Sequence, residues 1–344
     1  MLSLPFANLL KPAAERLFKR LTTVKQQEPK LTVGLDVGAT SVKVVALGAK
    51  KVDGRRPVVG QSLVPLEARL SDASEAIKTA VANLKMPVVS VNLSVSGQWV
   101  IMRILELPKM KSDEFKQALP FEAQRYLPFN VQEVVLDGAV LGPSDGNKAW
   151  VLIVACKKDL LERRIDWAKR AGLNVDRIDV DALALANAFL ETASGERLKK
   201  TQALIDVGGQ LTNLVIIRGG VTYLVRDIPW GGDKLIRNIA EQLGSDPDAV
   251  TQALAQDQPS PEMLNALKLS SEALASELQM SFDYFENRFN QAPEDILVTG
   301  GLSQSKPFLE GLKAHLTQAV IPWTPIQELP TQFAVAYGLA LRTE

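Results

Sequence analysis

Residues 31–47, LTVGLDVGATSVKVVAL, decide the fold of this chain. A β-branched apolar run ends in the tripeptide DVG at 36–38, a short polar turn follows, and a second apolar run begins. This pattern predicts two strands joined by a tight hairpin. Residues 202–220, QALIDVGGQLTNLVIIRGG, repeat the arrangement, with Asp206 in the place of Asp36. The repeat predicts two lobes of similar construction.

Composition sets the limits of function. The chain has 344 residues, and its 39 Lys and Arg residues balance its 39 Asp and Glu residues. That length suits two or three lobes, and the charge balance gives no overall field that would collect nucleic acid. The lone cysteine, Cys156, excludes an intramolecular disulfide and a multi-cysteine zinc site. No apolar run approaches the roughly 20 residues of a membrane span, so we expect a cytoplasmic protein.

Helical periodicity appears in several places. Residues 1–30 are predicted to form an amphipathic helix with a basic side, followed by a linker. That helix would pack on the protein's own surface, lie on a membrane surface, or dock a partner. Pro120 is expected to kink its helix or to mark the helix's true start. Further helices are predicted over residues 73–84, 115–127, 159–171, 272–289 and 306–317, and strands over 99–107 and 149–156.

The two acidic hairpins carry the chemistry. A Gly-rich bend lets backbone N–H groups approach phosphate oxygens, and small hydroxyl residues add donors. Lys43 would reach a phosphate as a point charge. The candidate residues of the two bends are Gly38, Ala39 and Thr40 in the first, and Gly208, Gly209 and Thr212 in the second. Two such bends facing each other predict a clamp for a polyphosphate.

Asp36 and Asp206 precede the bends, where a carboxylate would hold the water shell of Mg²⁺. The alternative role for each is to cap its own turn. A third element is Gly300-Gly301, between a strand and a helix, where bare backbone would lie against a nucleoside. The order of hairpin, hairpin and strand-Gly-Gly-helix favours a nucleotide-binding cleft between the lobes.

These motifs, together with EAQRYLPF at 122–129 and RDIPWGG at 226–232, resemble the actin-like ATPase superfamily. More narrowly they resemble the PilM family of type IV pilus assembly proteins, which is related to the cell-division protein FtsA. The resemblance covers about residues 31–342 and implies an α/β, two-lobed actin-like ATPase fold with an FtsA-type inserted subdomain. The implied division is 1–30 for the helix and linker, 31–95 with 176–200 and 325–344 for subdomain 1A, 96–175 for the inserted subdomain 1C, 201–240 with 292–324 for 2A, and 241–291 for 2B.

The resemblance also implies ligands and partners. ATP with Mg²⁺ would lie between the lobes, Asp179 and Asp181 would line the crossing, and Lys234 and Glu277 would approach the adenosine. The implied partner is the N-terminal cytoplasmic peptide of a PilN-like inner-membrane protein, bound in a groove between the first and the inserted subdomains. Other pilus assembly proteins are implied as well, and membrane contact would be indirect or through the N-terminal helix.

Three functions compete on this sequence. The first is an ATP-bound scaffold at the inner membrane, the second a sugar or acid kinase of the same superfamily, and the third a filament former like FtsA. A kinase needs a general-base Asp, and residues 95–110 contain none. Hydrolysis needs a residue that positions water, and the sequence assigns none, so holding ATP and slowly hydrolysing it both stay open.

Overall fold

The computed structural model describes residues 31–48, 55–66, 72–255 and 259–343. Within them lie two five-stranded sheets and one three-stranded sheet. The helix predicted within residues 1–30 falls outside the described residues. In the part of the chain that is described, no helix combines the length and apolar character needed to cross a bilayer.

The two large sheets share one topology. The first contains β1 (Thr32–Val37), β2 (Ser41–Leu47), β3 (Val58–Pro65), β4 (Ser90–Val95) and β8 (Asn174–Val180), in the order β3-β2-β1-β4-β8. The second contains β9 (Thr201–Val207), β10 (Thr212–Arg218), β11 (Val221–Ile228), β12 (Asp295–Gly300) and β13 (Ala319–Pro322), in the order β11-β10-β9-β12-β13. In each sheet an antiparallel hairpin is followed by a parallel pairing of its first strand. The predicted duplication is therefore confirmed at the level of topology.

Helices surround and separate these sheets. They are α1 (Ser74–Ala82), α2 (Ser112–Gln124), α3 (Lys158–Arg170), α4 (Asp181–Thr192), α5 (Gly195–Lys199), α6 (Gly232–Leu243), α7 (Pro247–Leu254), α8 (Pro261–Phe289), α9 (Lys306–Lys313) and α10 (Ala334–Ala340). Short 3₁₀ turns span Val131–Glu133, Gly301–Gln304 and Thr331–Phe333.

Apolar faces order these elements into layers. Helices α4 and α10 lie between the two large sheets, where Leu185 shares a core with Val45 and Leu204. Helices α1 and α3 cover the outer face of the first sheet, and this assembly is called lobe 1. Helices α6, α8 and α9 cover the outer face of the second sheet, and this assembly is called lobe 2. Burial of both faces explains why the central strands are apolar throughout.

The third sheet interrupts lobe 1 between β4 and α3. It contains β5 (Val100–Pro108), β6 (Val134–Pro143) and β7 (Lys148–Lys157), in the antiparallel order β5-β7-β6. Helix α2 covers one face, where Phe115 and Leu119 are buried against Val151 and Ile153. The inserted sheet, as β5, β6, β7 and α2 are called below, has a small core of its own.

Some predicted helix bounds are wrong. Helix α2 begins at Ser112, so Pro120 lies inside the helix and does not mark its start. Helix α8 begins at Pro261, eleven residues before the predicted 272, because Ser260 caps it by accepting a hydrogen bond from the N–H of Met263. Helix α9 ends at Lys313, earlier than the predicted 317. Cys156 is a free, buried thiol in β7.

Candidate functional site

The two acidic hairpins have the same local geometry. In the first, the N–H of Gly38 donates to the carbonyl of Ser41 at 3.0 Å, and in the second the N–H of Gly208 donates to Leu211 at 2.9 Å. The N–H groups of Ala39 and Thr40 at the first tip make no hydrogen bond within the described residues. Each hairpin therefore presents a tight bend, and the tip of the first presents donors that a ligand could use.

Lys43 is a cation of the cleft, and its side chain is 15 % exposed. Its Nζ lies 2.9 Å from Oδ2 of Asp36, which it faces across the β1–β2 register. Burial opposes the charged form, but the carboxylates of Asp36, Asp206 and Asp181 outweigh it and raise the pKa of Lys43. A lysine held charged among three carboxylates is matched to a ligand that carries both anionic oxygens and a cation.

Asp206 and Asp181 complete this group. Burial and the neighbouring Asp36 raise the pKa of Asp206, while Lys43 opposes the rise. The Thr299 hydroxyl donates to Asp206 at 2.8 Å. Asp181 is the first residue of α4, and burial, with Asp36 adding to it, raises the pKa of Asp181 from 3.8 to about 6. The two lobes therefore bring Asp36, Lys43, Asp181 and Asp206 together, although they are far apart in the sequence.

The tips of the two hairpins touch. A Cβ placed on Gly209 would lie 2.5 Å from Cγ2 of Thr40, so only glycine fits at this position in the present conformation. The second tip is also fixed from the other side, because the N–H groups of Gly232 and Asp233 donate to the carbonyls of Gly208 and Gly209. A polyphosphate between the tips would require the lobes to separate.

Gly300 supplies the predicted bare backbone. It has φ +90°, and a Cβ there would lie 2.4 Å from the carbonyl oxygen of Val207. Both observations require glycine, since side-chain residues rarely adopt that conformation and no room exists for one. Gly301 is exposed beside it. The strand β12 is thereby kept close against the second acidic hairpin.

Other predicted site residues lie apart from this group. Thr212 is buried and its hydroxyl donates to the carbonyl of Trp230. Lys234 is exposed on α6. Glu277 forms an ion pair with Arg226 at 2.5 Å, and Asp179 lies 3.5 Å from Arg342. The structure gives these four side chains other partners or solvent, and their predicted roles toward a nucleotide stay predictions.

Two residues that the sequence analysis did not single out contact the cleft. Arg164 of α3 donates from Nη1 to the carbonyl of Val37, directly before the first bend, at 2.8 Å. Asp227 at the end of β11 accepts from the N–H of Gly97 at 2.7 Å and from the Asn213 amide at 2.7 Å. Arg164 lies outside the quoted motifs, and Asp227 lies in RDIPWGG with no role assigned to it there, so the contacts of both follow only from the fold.

The donor set fits a nucleotide with a hydrated cation better than a bare metal. No group of three or more His, Cys, Asp or Glu side chains is arranged to hold a metal ion among the described residues. Free backbone N–H groups, the partly buried Lys43 and flanking carboxylates instead match phosphate oxygens and the water shell of a magnesium ion.

A second concave feature, called the Trp99 pocket, lies where the inserted sheet joins lobe 1. It encloses about 280 Å³ and is lined by Trp99, Lys157, Asp159, Leu160 and Arg163. The Trp99 ring is 41 % exposed, and Nζ of Lys157 lies 5.0 Å from the centres of both the Trp99 and Phe129 rings. Aromatic surface beside two cations suits a peptide segment with apolar and anionic or carbonyl groups.

Comparison with solved structures confirms the fold. One structure of a PilM-PilN type IV pilus biogenesis complex matches with TM-score 0.79 and 25 % identity, over 92 % of this chain and 99 % of that one. The ethanolamine utilization protein EutJ from Carboxydothermus hydrogenoformans matches with TM-score 0.57 and 15 % identity, over 92 % of each chain. A Bacteroides thetaiotaomicron protein with actin-like ATPase fold matches with TM-score 0.51 and 11 % identity, over 92 % of this chain and 97 % of that one. The fold is that of the actin-like ATPases.

Sequence comparison points the same way. FtsA of Pseudomonas aeruginosa is 27 % identical over 63 % of this chain, and FtsA of Escherichia coli K12 is 24 % identical over 65 %. The matched region spans only 58 % and 60 % of the length of these two relatives. The sequence model of one family matches residues 34–344, which is most of the chain. The chain therefore belongs to the type IV pilus assembly protein PilM family.

Proposed function

We propose that this chain is an ATP-binding cytoplasmic scaffold of a type IV pilus machine, or a related secretion or competence machine, at the inner membrane. It would bind the N-terminal cytoplasmic peptide of a PilN-like inner-membrane protein and contact other pilus assembly proteins. The family assignment favours this function over the sugar or acid kinase and over the FtsA-like filament former. The proposal keeps the division of the chain into five parts given above.

The convergence of the two acidic hairpins on Lys43 carries the proposal. Lys43 and the free N–H groups of Ala39 and Thr40 would hold phosphate oxygens. Asp36 and Asp206 would hold the water shell of Mg²⁺. Gly300 and Gly301 would lie against the nucleoside. The affinity for ATP would depend on how far the lobes are separated. Bound ATP would therefore favour the lobe separation at which it binds most tightly.

A calorimetric titration with ATP and Mg²⁺ tests this cleft. We expect a dissociation constant in the micromolar range for the wild type and loss of binding in Asp206→Asn, because the variant loses the charge and keeps the shape. Asp145→Asn is the matched control, since Asp145 is exposed and lies in the β6–β7 turn. Equal affinities in Asp206→Asn and the wild type would show that the cleft is assigned wrongly.

The Trp99 pocket is the proposed docking site for the peptide. The PilM-PilN structure that matches this chain is a complex of two such proteins, and in this chain the pocket is a cavity at the junction of the first and inserted subdomains. Arg163 would supply an ion-pairing group and the exposed indole a stacking group, of the kinds that anchor short peptides, while Lys157 is paired with Glu133.

Fluorescence polarisation with a labelled N-terminal peptide of a PilN-type protein tests the docking site. Trp99→Ala and Arg163→Ala are each expected to weaken binding at least tenfold. Phe121→Ala is the control, because Phe121 is a 78 % exposed aromatic on the same inserted sheet but outside the pocket. A wild-type protein that captures no such peptide, or pocket variants that bind it normally, would count against the proposal.

A further inference from the structure

The Trp99 pocket lies between two parts of the chain that are fastened to different lobes. One wall is Trp99, which directly precedes the first strand of the inserted sheet. The other wall is the first two turns of α3, which directly follow its last strand. The two walls meet where the N–H of Lys157 donates to the carbonyl of Trp99 at 3.1 Å. This hydrogen bond joins the two walls of the pocket.

The Trp99 wall follows β4 of lobe 1 along the chain but makes its hydrogen bond to lobe 2. Two residues before Trp99, the N–H of Gly97 donates to the Asp227 carboxylate at the end of β11. Asp227 is in turn fixed by the amide of Asn213 on β10, the partner of Asp206 across the β9–β10 register. The strands β9, β10 and β11 therefore connect the second acidic hairpin to Gly97, where the chain enters the inserted sheet.

The far end of the inserted sheet is also held by lobe 2. The guanidinium of Arg288, in α8, lies 4.6 Å from the centre of the Trp150 ring in β7. The Phe289 ring lies 5.3 Å from it and the Tyr223 ring 6.3 Å. A cation and two rings packed on one indole form a contact that resists separation.

The α3 wall, in contrast, is held by lobe 1. Arg164 follows the pocket residue Arg163 directly, and its guanidinium donates to the carbonyl of Val37 beside the first acidic hairpin. One turn later Ala168 is fully buried in the core that α3 shares with α1 and the first sheet. A helix is stiff over this length, so the pocket residues of α3 follow the first hairpin.

We infer that Asp227 and Trp150 are coupling residues, which transmit the separation of the two lobes to the width of the Trp99 pocket. The inference rests on the proposed function, because it assigns the regulation of the peptide site to the nucleotide cleft. When the lobes separate to admit nucleotide, the inserted sheet moves with lobe 2 and α3 moves with lobe 1. The pocket between them then changes shape while the hydrogen bond between Lys157 and Trp99 keeps its walls joined, and the peptide affinity changes with it.

The test compares peptide affinity with and without saturating ATP and Mg²⁺ in Asp227→Asn, Trp150→Ala and the wild type. An asparagine keeps one of the two acceptor positions of Asp227 and loses the other. In the wild type we expect the two peptide affinities to differ at least threefold. In both variants they are expected to agree within twofold, and Trp150→Ala, which lies outside the cleft, should keep its ATP affinity within twofold of the wild type. Phe121→Ala is the control and should retain the wild-type ratio.

A second readout needs neither ligand. Amide hydrogen exchange of the nucleotide-free protein should be faster over residues 96–102 in Asp227→Asn and Trp150→Ala, and unchanged over residues 164–170. Unchanged exchange at 96–102, equal wild-type peptide affinities in the two nucleotide states, or wild-type ratios in both variants would overturn the inference. Absence of ATP or peptide binding in the wild type would instead refute the proposed function.

Discussion

Nζ of Lys43 lies 2.9 Å from Oδ2 of Asp36 across a register pair of the first lobe, whereas the corresponding pair in the second lobe joins Asp206 to Asn213. The duplicated hairpins thus share backbone geometry but differ in charge. Only the first contributes a cation, and that cation lies near the carboxylates of both lobes. Lys43 consequently offsets carboxylate charge across the whole cleft.

Replacement of Lys43 by an uncharged residue of similar size should destabilise the protein. In Lys43→Met the buried Asp36, which is 6 % exposed, loses its partner, and breaking such a pair costs about 3 kcal/mol. Urea unfolding at neutral pH measures this loss, and ATP affinity should fall at least tenfold as well. Lys78→Met on the exposed face of α1 is the control. A wild-type urea midpoint in Lys43→Met would contradict the assignment.

Asp181 should make stability fall as the pH rises from about 4 to about 6. Burial raises the pKa of Asp181 to about 6, so the folded state binds a proton in this range that the unfolded chain releases. The free energy of unfolding therefore decreases with pH here, by up to about 3 kcal/mol from this group. Urea unfolding across the range should show a shallower decrease in Asp181→Asn than in the wild type.

Asp145→Asn is the control for this pH dependence, since its carboxylate is exposed in a turn. Its curve should run parallel to that of the wild type. If the Asp181→Asn curve is also parallel, the carboxyl of Asp181 does not titrate in the folded protein near pH 6.

The contact between Thr40 and Gly209 is testable by a pair of substitutions. In Gly209→Ala the new methyl group would meet Cγ2 of Thr40, a β-branched side chain with few alternative rotamers. We expect a loss of about 1–3 kcal/mol in the free energy of unfolding. Adding Thr40→Ser removes Cγ2 and should restore most of it, so additive effects of the two substitutions would show that the tips do not touch in solution.

Local pattern was enough to predict the hairpins and the duplication. Alternating apolar residues and a Gly turn are signals between near neighbours in the chain, and both hairpins form where residues 31–47 and 202–220 predicted them. The start of α8 was also available from the sequence, because Ser260 followed by Pro261 is a typical helix beginning. The apolar spacing that predicted this helix begins only after residue 272, so it missed the first eleven residues.

The contacts of the coupling residue Asp227 and of Arg164 could not be predicted from the sequence pattern. Asp227 is the second-last residue of the edge strand β11 and part of RDIPWGG, but its importance comes from Gly97, which lies 130 positions away in the chain. Arg164 lies on an amphipathic helix whose charged face gives no sign that one guanidinium turns toward Val37. Such contacts depend on how the lobes and the inserted sheet are placed, which periodicity does not specify.

For Gly338→Ala, helix propensity and packing predict opposite changes in the free energy of unfolding. It lies in α10, and an alanine in a helix is ordinarily about 1 kcal/mol more stable than glycine. A Cβ at this position would, however, lie 1.8 Å from the carbonyl oxygen of Ala184 in α4, which is backbone and cannot rotate away. The two helices between the sheets would have to separate, so we expect Gly338→Ala to lower the free energy of unfolding by about 3 kcal/mol or more.

Gly195→Ala is the matched control for this substitution. Gly195 begins α5, and a Cβ there would have no neighbour within 4 Å. Its replacement should be neutral or stabilising by up to about 1 kcal/mol. If thermal and urea unfolding show Gly338→Ala to be as stable as Gly195→Ala, α4 and α10 are not in contact at this crossing. The layer between the two sheets would then be looser than described, and the lobes less firmly joined along it.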